Sequence, residues 1–193
     1  MHSQENCNSM KIGIFCSSSD HIAPVYYEQT ARLGEWIGKQ KHSIVYGGTT
    51  QGLMECIAQS VKKAGGETIG ILPRMMYENG LGSPSVDRLI ITKDLTERKD
   101  KMTEIADVLV ALPGGFGTLD EIFHVVAGGQ VGYHDKPLLL FNQNNFYQSL
   151  IQQMEQMSVE RFTSVGYQRR IIVVNTTGEC INRLSLIRQR EKV

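Results

Sequence analysis

Pro113-Gly114-Gly115-Phe116-Gly117-Thr118-Leu119-Asp120-Glu121 sets a glycine-rich turn beside two carboxylates. The apolar run Val108-Leu109-Val110-Ala111-Leu112 leads into it, and Ile122-Phe123-His124-Val125-Val126 reads as helix beyond it. A strand that empties into such a turn and then a helix aims free backbone N–H groups and the positive helix end at one point. That arrangement holds phosphate. Gly114, Gly115 and Gly117 admit close backbone approach and positive φ. Glu121 has two readings. Thr118 to Glu121 has the spacing of a capping box, Thr118 at N-cap and Glu121 at N3. The same carboxylate, rigid and near an anchored phosphate, can also act on what the phosphate brings. Asp120 beside it suits the helix dipole.

Arg98, Lys99 and Lys101 supply the opposite charge. With Thr96 as N-cap they fall in or just after the first turn of a helix. Cations there oppose the dipole by roughly 0.3–1 kcal/mol each. A bound anion reverses that cost, since arginine forks onto phosphate; a solvated helix start is the other reading. Gly47-Gly48-Thr49-Thr50 is a second glycine turn after a strand, fit for ligand contact or for close helix–sheet packing. Ser17 to Ser19 suit a ribose or base, or a cap on the first helix. Neither glycine turn is a dinucleotide or triphosphate fingerprint. Asp120 stands at the third glycine of G-x-G-x-x-G, and Leu53 stands where a triphosphate loop needs lysine. His21, His42, His124 and His134 lack triad company and read as surface or helix residues. Met102, Met154 and Met157 read as core.

The elements that position these residues follow from short apolar runs. Strands are expected at Lys11–Cys16, Ser43–Tyr46, Glu67–Leu72, Asp87–Thr92, Asp107–Leu112, Pro137–Phe141 and Arg170–Val174. Helical patterns fall at Pro24–Lys41, Leu53–Ala64, Thr96–Ala106, after Thr118, at Phe146–Met157 and at Glu179–Arg190. Arg74 to Val86 reads as loop with one helical turn. Unalternating apolar strands that alternate with helices give an α/β, Rossmann-like doubly wound parallel sheet flanked by helices, in a single domain. Ligands of such sheets bind at the carboxyl ends of the strands, where all four polar turns fall.

The chain has 193 residues, which suits one domain, expected over residues 10–193 after a short disordered leader, Met1 to Ser9. A formal net charge of zero gives no basic stripe for nucleic acid. No apolar run nears the roughly 20 residues of a membrane span. Cys7, Cys16, Cys56 and Cys180 are scattered, without metal spacing, which fits a reducing cytoplasm. No metal and no cofactor is expected.

Together these motifs resemble the Lonely Guy family. The matching landmarks, in order, are Phe15-Cys16-Ser17-Ser18, Tyr46-Gly47-Gly48 with Gly52-Leu53-Met54, Glu97-Arg98-Lys99 with Met102, Pro113 to Glu121, and Gly132 to Pro137. The resemblance covers about Met10 to Val174. It implies a homodimer with its sites near the subunit interface. It also implies a hydrolase that cleaves the N-glycosidic bond of an adenosine 5′-monophosphate, plain or N6-prenylated, to free base and ribose 5-phosphate. Arg98 and Glu121 align with the family's catalytic pair, and Lys99 and Gly115 to Thr118 with its substrate-binding stretch. Gly47, Gly48, Gly114 and Ser17 complete the expected contacts. Thr49, Leu95-Thr96 and Ala127-Gly128 depart from what many members carry, namely glycine, Met-His and Thr-Trp. A binding or cofactor-carrier protein of the same fold without catalysis is the alternative. A pyridoxal-phosphate lysine decarboxylase lacks a lysine in a cofactor setting.

Overall fold

A computed structural model describes residues 9–163 and 170–190. The expected leader lies outside the described residues, save for Ser9. The strands are β1 (Lys11–Phe15), β2 (Ser43–Tyr46), β3 (Glu67–Pro73), β4 (Arg88–Thr92), β5 (Val108–Ala111), β6 (Leu138–Phe141) and β7 (Ile171–Val174). The helices are α1 (Pro24–Lys39), α2 (Gly52–Lys63), α3 (Arg74–Glu78), α4 (Leu95–Ile105), α5 (Phe116–Gln130), α6 (Gln148–Val159) and α7 (Thr177–Arg190), with a short 3-10 turn at Gln143–Asn145. The expected strands stand with bounds shifted by a residue or so, and α3 is the helical turn inside the segment read as loop.

All pairings are parallel, in the order β4-β3-β2-β1-β5-β6-β7. The order reverses between β1 and β5, the crevice where ligands of doubly wound sheets bind. Successive strand residues bury on opposite faces. Ile12, Ile14, Ile44, Val108 and Val110 pack under α1, α2 and α7. Phe15, Val45, Ile71, Leu109 and Leu140 pack with Met102, Ile122, Val125 and Met154 from α4, α5 and α6. Both faces are covered, which is why the strands read as continuous apolar runs. Met102 and Met154 are core; Met157 is half-buried. No helix of the described residues is long and apolar enough to cross a membrane.

His42 corrects the reading of the histidines as surface or helix residues. It lies between α1 and β2, fully buried, with its Nδ1 accepting from the Met10 N–H at 3.2 Å. Its ring meets Trp36 edge-on, and burial pulls its pKa down to about 4. His124 instead pairs with Asp100 at 3.0 Å.

Candidate active site

The glycine turn after β5 works differently from expectation. Helix α5 begins at Phe116, with Gly115 as its N-cap. Thr118 is therefore the third helical residue and Glu121 the sixth, so no capping box forms. The turn glycines keep negative φ; the positive-φ glycines of the described residues are Gly48, Gly52, Gly65, Gly80 and Gly132. What the turn needs is room. A Cβ on Gly114 would stand 2.1 Å from the Thr118 Oγ1, while around Gly115 and Gly117 the space is open. The first N–H groups of α5 have no partner within the helix.

Helix α4 also starts earlier than Thr96. Asp94 is its N-cap and accepts from the Glu97 N–H at 2.8 Å; the Glu97 carboxylate accepts from the Lys93 N–H at 2.7 Å. This places Arg98 one turn in, pointing inward, and it is only 7% exposed. Its Nε donates to the Ile71 carbonyl at 3.1 Å and its Nη1 to Glu121 Oε1 at 2.6 Å. Glu121 is 3% exposed. Arg98 is thus joined to the carboxylate and does not sit as an open cation at a helix start. Lys99 likewise donates to both Asp120 oxygens at 2.7 Å, so Asp120 serves an ion pair as well as the dipole. Two side-by-side ion pairs join α4 and α5, each about one turn in from the helix start.

Above the Arg98–Glu121 pair lies a cavity of about 330 Å³ at the carboxyl ends of β1, β2 and β5. Ser17, Gly47, Arg98, Gly115, Phe116, Gly117, Thr118 and Glu121 line it. Of the expected site residues, Lys99, Gly48 and Gly114 do not. Gly48, at φ +71, packs on the Gly70 backbone and accepts from the Ser83 N–H at 2.8 Å. Gly48 thus packs its turn against β3, which is neither ligand contact nor the helix–sheet packing expected of the Gly47–Thr50 turn. Ser17 to Ser19 do not cap α1, which starts at Pro24 with no side-chain cap. They and Asp20 close the start of α2 instead. Leu53 N–H donates to the Ser17 carbonyl at 2.9 Å, and Gly52 N–H to Asp20 Oδ1 at 2.8 Å. The Ser17 N–H in turn donates to the Pro113 carbonyl at 3.2 Å, tying the turn after β1 to that after β5.

Cys16, Met54, Met76, Leu95 and Thr49 also line the cavity and were not singled out as site residues. Thr49 and Leu95 carried a signal, since both depart from the family pattern. Met76 carried none, because it comes from α3.

Burial pushes the Glu121 carboxyl above the usual carboxylate range, against the pull of Arg98. Burial, with Glu121 close by, holds the Cys16 thiol well above its ordinary value and hence neutral. The site offers one rigid carboxylate with a raised pKa, a guanidinium that fixes it, and a helix start at the rim. That set suits proton transfer or charge stabilisation at a group anchored by a phosphate.

The chain is similar to known proteins in sequence and in fold. The family model described as "possible lysine decarboxylase" matches residues 54–184, more than half of the chain. Cytokinin riboside 5′-monophosphate phosphoribohydrolase LOG4 of Arabidopsis thaliana is 33% identical over 174 residues, spanning 90% of this chain and 81% of the relative. LOG1 of the same plant is 32% identical over 184 residues, 95% of this chain and 86% of the relative. The fold is shared with the molybdenum cofactor binding protein of Rippkaea orientalis at a TM-score of 0.72 and 24% identity, over 93% of this chain and 97% of that one. By the family model and by these relatives, the chain belongs to the Lonely Guy family.

Proposed function

We propose that this protein hydrolyses the N-glycosidic bond of an adenosine 5′-monophosphate, plain or N6-prenylated, to free base and ribose 5-phosphate. The observation that carries the reading is the buried Arg98–Glu121 pair facing a cavity whose rim is a helix start. The names of the relatives support the same reaction class. The N–H groups of Phe116 to Thr118 hold the 5′-phosphate, and that remote contact fixes the sugar over Glu121. Cleavage leaves an oxocarbenium-like sugar, which the Glu121 anion stabilises. The water oxygen bonds to C1′ and gives its proton to Glu121, while the base leaves with the electron pair of the broken bond and takes a proton from solvent. Arg98 holds the carboxylate in place. The apolar side of the cavity, Met54, Met76 and Leu95, receives the base.

The reading makes the 5′-phosphate obligatory. Adenosine is expected to be cleaved at least about 10²-fold less efficiently in kcat/KM than AMP, measured as base released by chromatography. Equal rates for nucleoside and nucleotide would remove the phosphate site from the account. Thr49 and Leu95, which depart from the family pattern and line the cavity, also support a carrier that binds without turnover. Stoichiometric nucleotide binding with no product would establish it.

We also infer a homodimer. Phe116, Phe123, Val131 and Tyr133 are exposed along α5 and the turn after it, and Phe116, at 92%, stands at the rim of the cavity. A second copy covering this side would shield both the apolar side chains and the site. Sedimentation should give twice the 21.6 kDa of one chain; a monomer at high micromolar concentration contradicts the inference.

A further inference from the structure

Gly47 follows β2 directly, and its φ is not positive, so its backbone suits any residue. The requirement there is space. A Cβ at Gly47 would stand 2.6 Å from Arg98 Nη2 and 2.7 Å from Met54 Sδ. The sulfur is itself held, because Thr49 Oγ1 donates to it at 3.2 Å. Arg98 is fixed from other directions by the Ile71 carbonyl and by Glu121. Its guanidinium therefore lies in a slot closed on one side by the bare Cα of Gly47 and backed by a clamped methionine.

We propose that Gly47 is a positioning residue, whose missing side chain seats the Arg98 guanidinium and through it fixes Glu121 for attack at the sugar. This rests on the reaction proposed above. Gly47 lines the cavity, yet its contribution is to Arg98 and not to the nucleotide. A methyl group here meets the far ends of two side chains, Arg98 and Met54; the methionine is held by Thr49, and the guanidinium gives way. The backbone is then retained while Arg98 leaves its place. The fold tolerates the change and the chemistry does not.

The groups facing Glu121 are Arg98 and Lys99 from α4, Asp120 on its own helix, Cys16 just after β1, and the buried Tyr147 ahead of α6. Only Arg98 touches Gly47 among them, so a displaced guanidinium has a specific signature. In Gly47→Ala, the titration midpoint of the Glu121 carboxyl, followed by carbon-13 NMR in the free protein and assigned with Glu121→Gln, moves upward. In an Arg98→Ala background, adding Gly47→Ala leaves the midpoint where Arg98→Ala put it. With AMP as substrate, kcat falls about 10- to 100-fold, as for other ångström-scale misplacements, while KM stays within about threefold.

A midpoint unmoved by Gly47→Ala, or moved equally with and without Arg98, would overturn the proposal. A rise in KM with kcat unchanged would overturn it too, by making Gly47 a nucleotide contact. If wild type releases no base from any nucleotide, the proposed reaction fails while the titration still decides the role of Gly47. Should Gly47→Ala not fold, the pair Gly47→Ala with Arg98→Lys, which lacks Nη2, is expected to fold. Failure of that pair also would place the clash elsewhere and sink the proposal.

Discussion

Glu121→Gln is expected to lower release of free base from AMP by about 10³-fold or more, the scale of a general base combined with a transition-state anion. That corresponds to about 4 kcal/mol of lost transition-state stabilisation. The amide is nearly isosteric and keeps an oxygen to accept from Arg98 Nη1, which now donates at 2.6 Å. The fold should therefore persist, and circular dichroism with an intact melting transition checks it. The loss is of charge, so it appears in kcat more than in KM. Because burial pushes the Glu121 carboxyl up, the wild-type kcat/KM should fall with decreasing pH through a limb lying above the usual carboxylate range. Retention of wild-type turnover in Glu121→Gln would return Glu121 to a structural role.

Arg98→Ala should cost both activity and stability. It removes the partner of a carboxylate that is only 3% exposed, and breaking such a buried pair from one side costs about 3–5 kcal/mol. Burial then acts on Glu121 with only the weaker pull of Lys99 against it, and its folded pKa stands further above its unfolded value. Between those two values the unfolded chain gives up a proton that the folded protein keeps. The penalty is thus absent below the unfolded pKa and grows as pH rises toward the folded one. Urea melts at pH 5 and pH 8 should show the larger loss, relative to wild type, at pH 8. A loss independent of pH would mean that Glu121 is not what Arg98 compensates. Base release should fall to the level of Glu121→Gln, since a protonated or displaced Glu121 can neither hold the sugar charge nor take a proton.

The sheet was legible because the inner strands β1, β2, β5 and β6 are buried on both faces and read as apolar runs, and the edge strands β4 and β7, though partly exposed, keep the same apolar composition. Helix starts were less so. Glycine at the N-cap of α5 leaves no side-chain signature, so Thr118, a better-looking cap, sets the expected boundary three residues too late. Asp94 outcompeted Thr96 because its carboxylate reaches the Glu97 N–H while Glu97 reaches back to Lys93. Those small shifts changed the chemistry. With the helices starting earlier, Arg98 and Glu121 turn inward and meet, although 23 positions separate them along the chain. No local spacing encodes that contact; it follows from α4 and α5 packing side by side on one face of the sheet. The same limit applies to Ser17 to Asp20, which close α2 across 32 positions of chain and leave α1 to Pro24. His42 was misread because a histidine between two polar neighbours gives no sign that Trp36 and Met10 enclose it.

The central claim is that the buried carboxylate breaks the bond between base and sugar. It is tested most directly by incubating the full chain with AMP and with N6-isopentenyl-AMP, and quantifying base, ribose 5-phosphate and inorganic phosphate together over many turnovers. The account predicts one free base for each ribose 5-phosphate, no inorganic phosphate, and about 10³-fold less product, or lower still, from Glu121→Gln. Recovery of the nucleotide intact, release of phosphate in place of base, or equal product from the variant would contradict it.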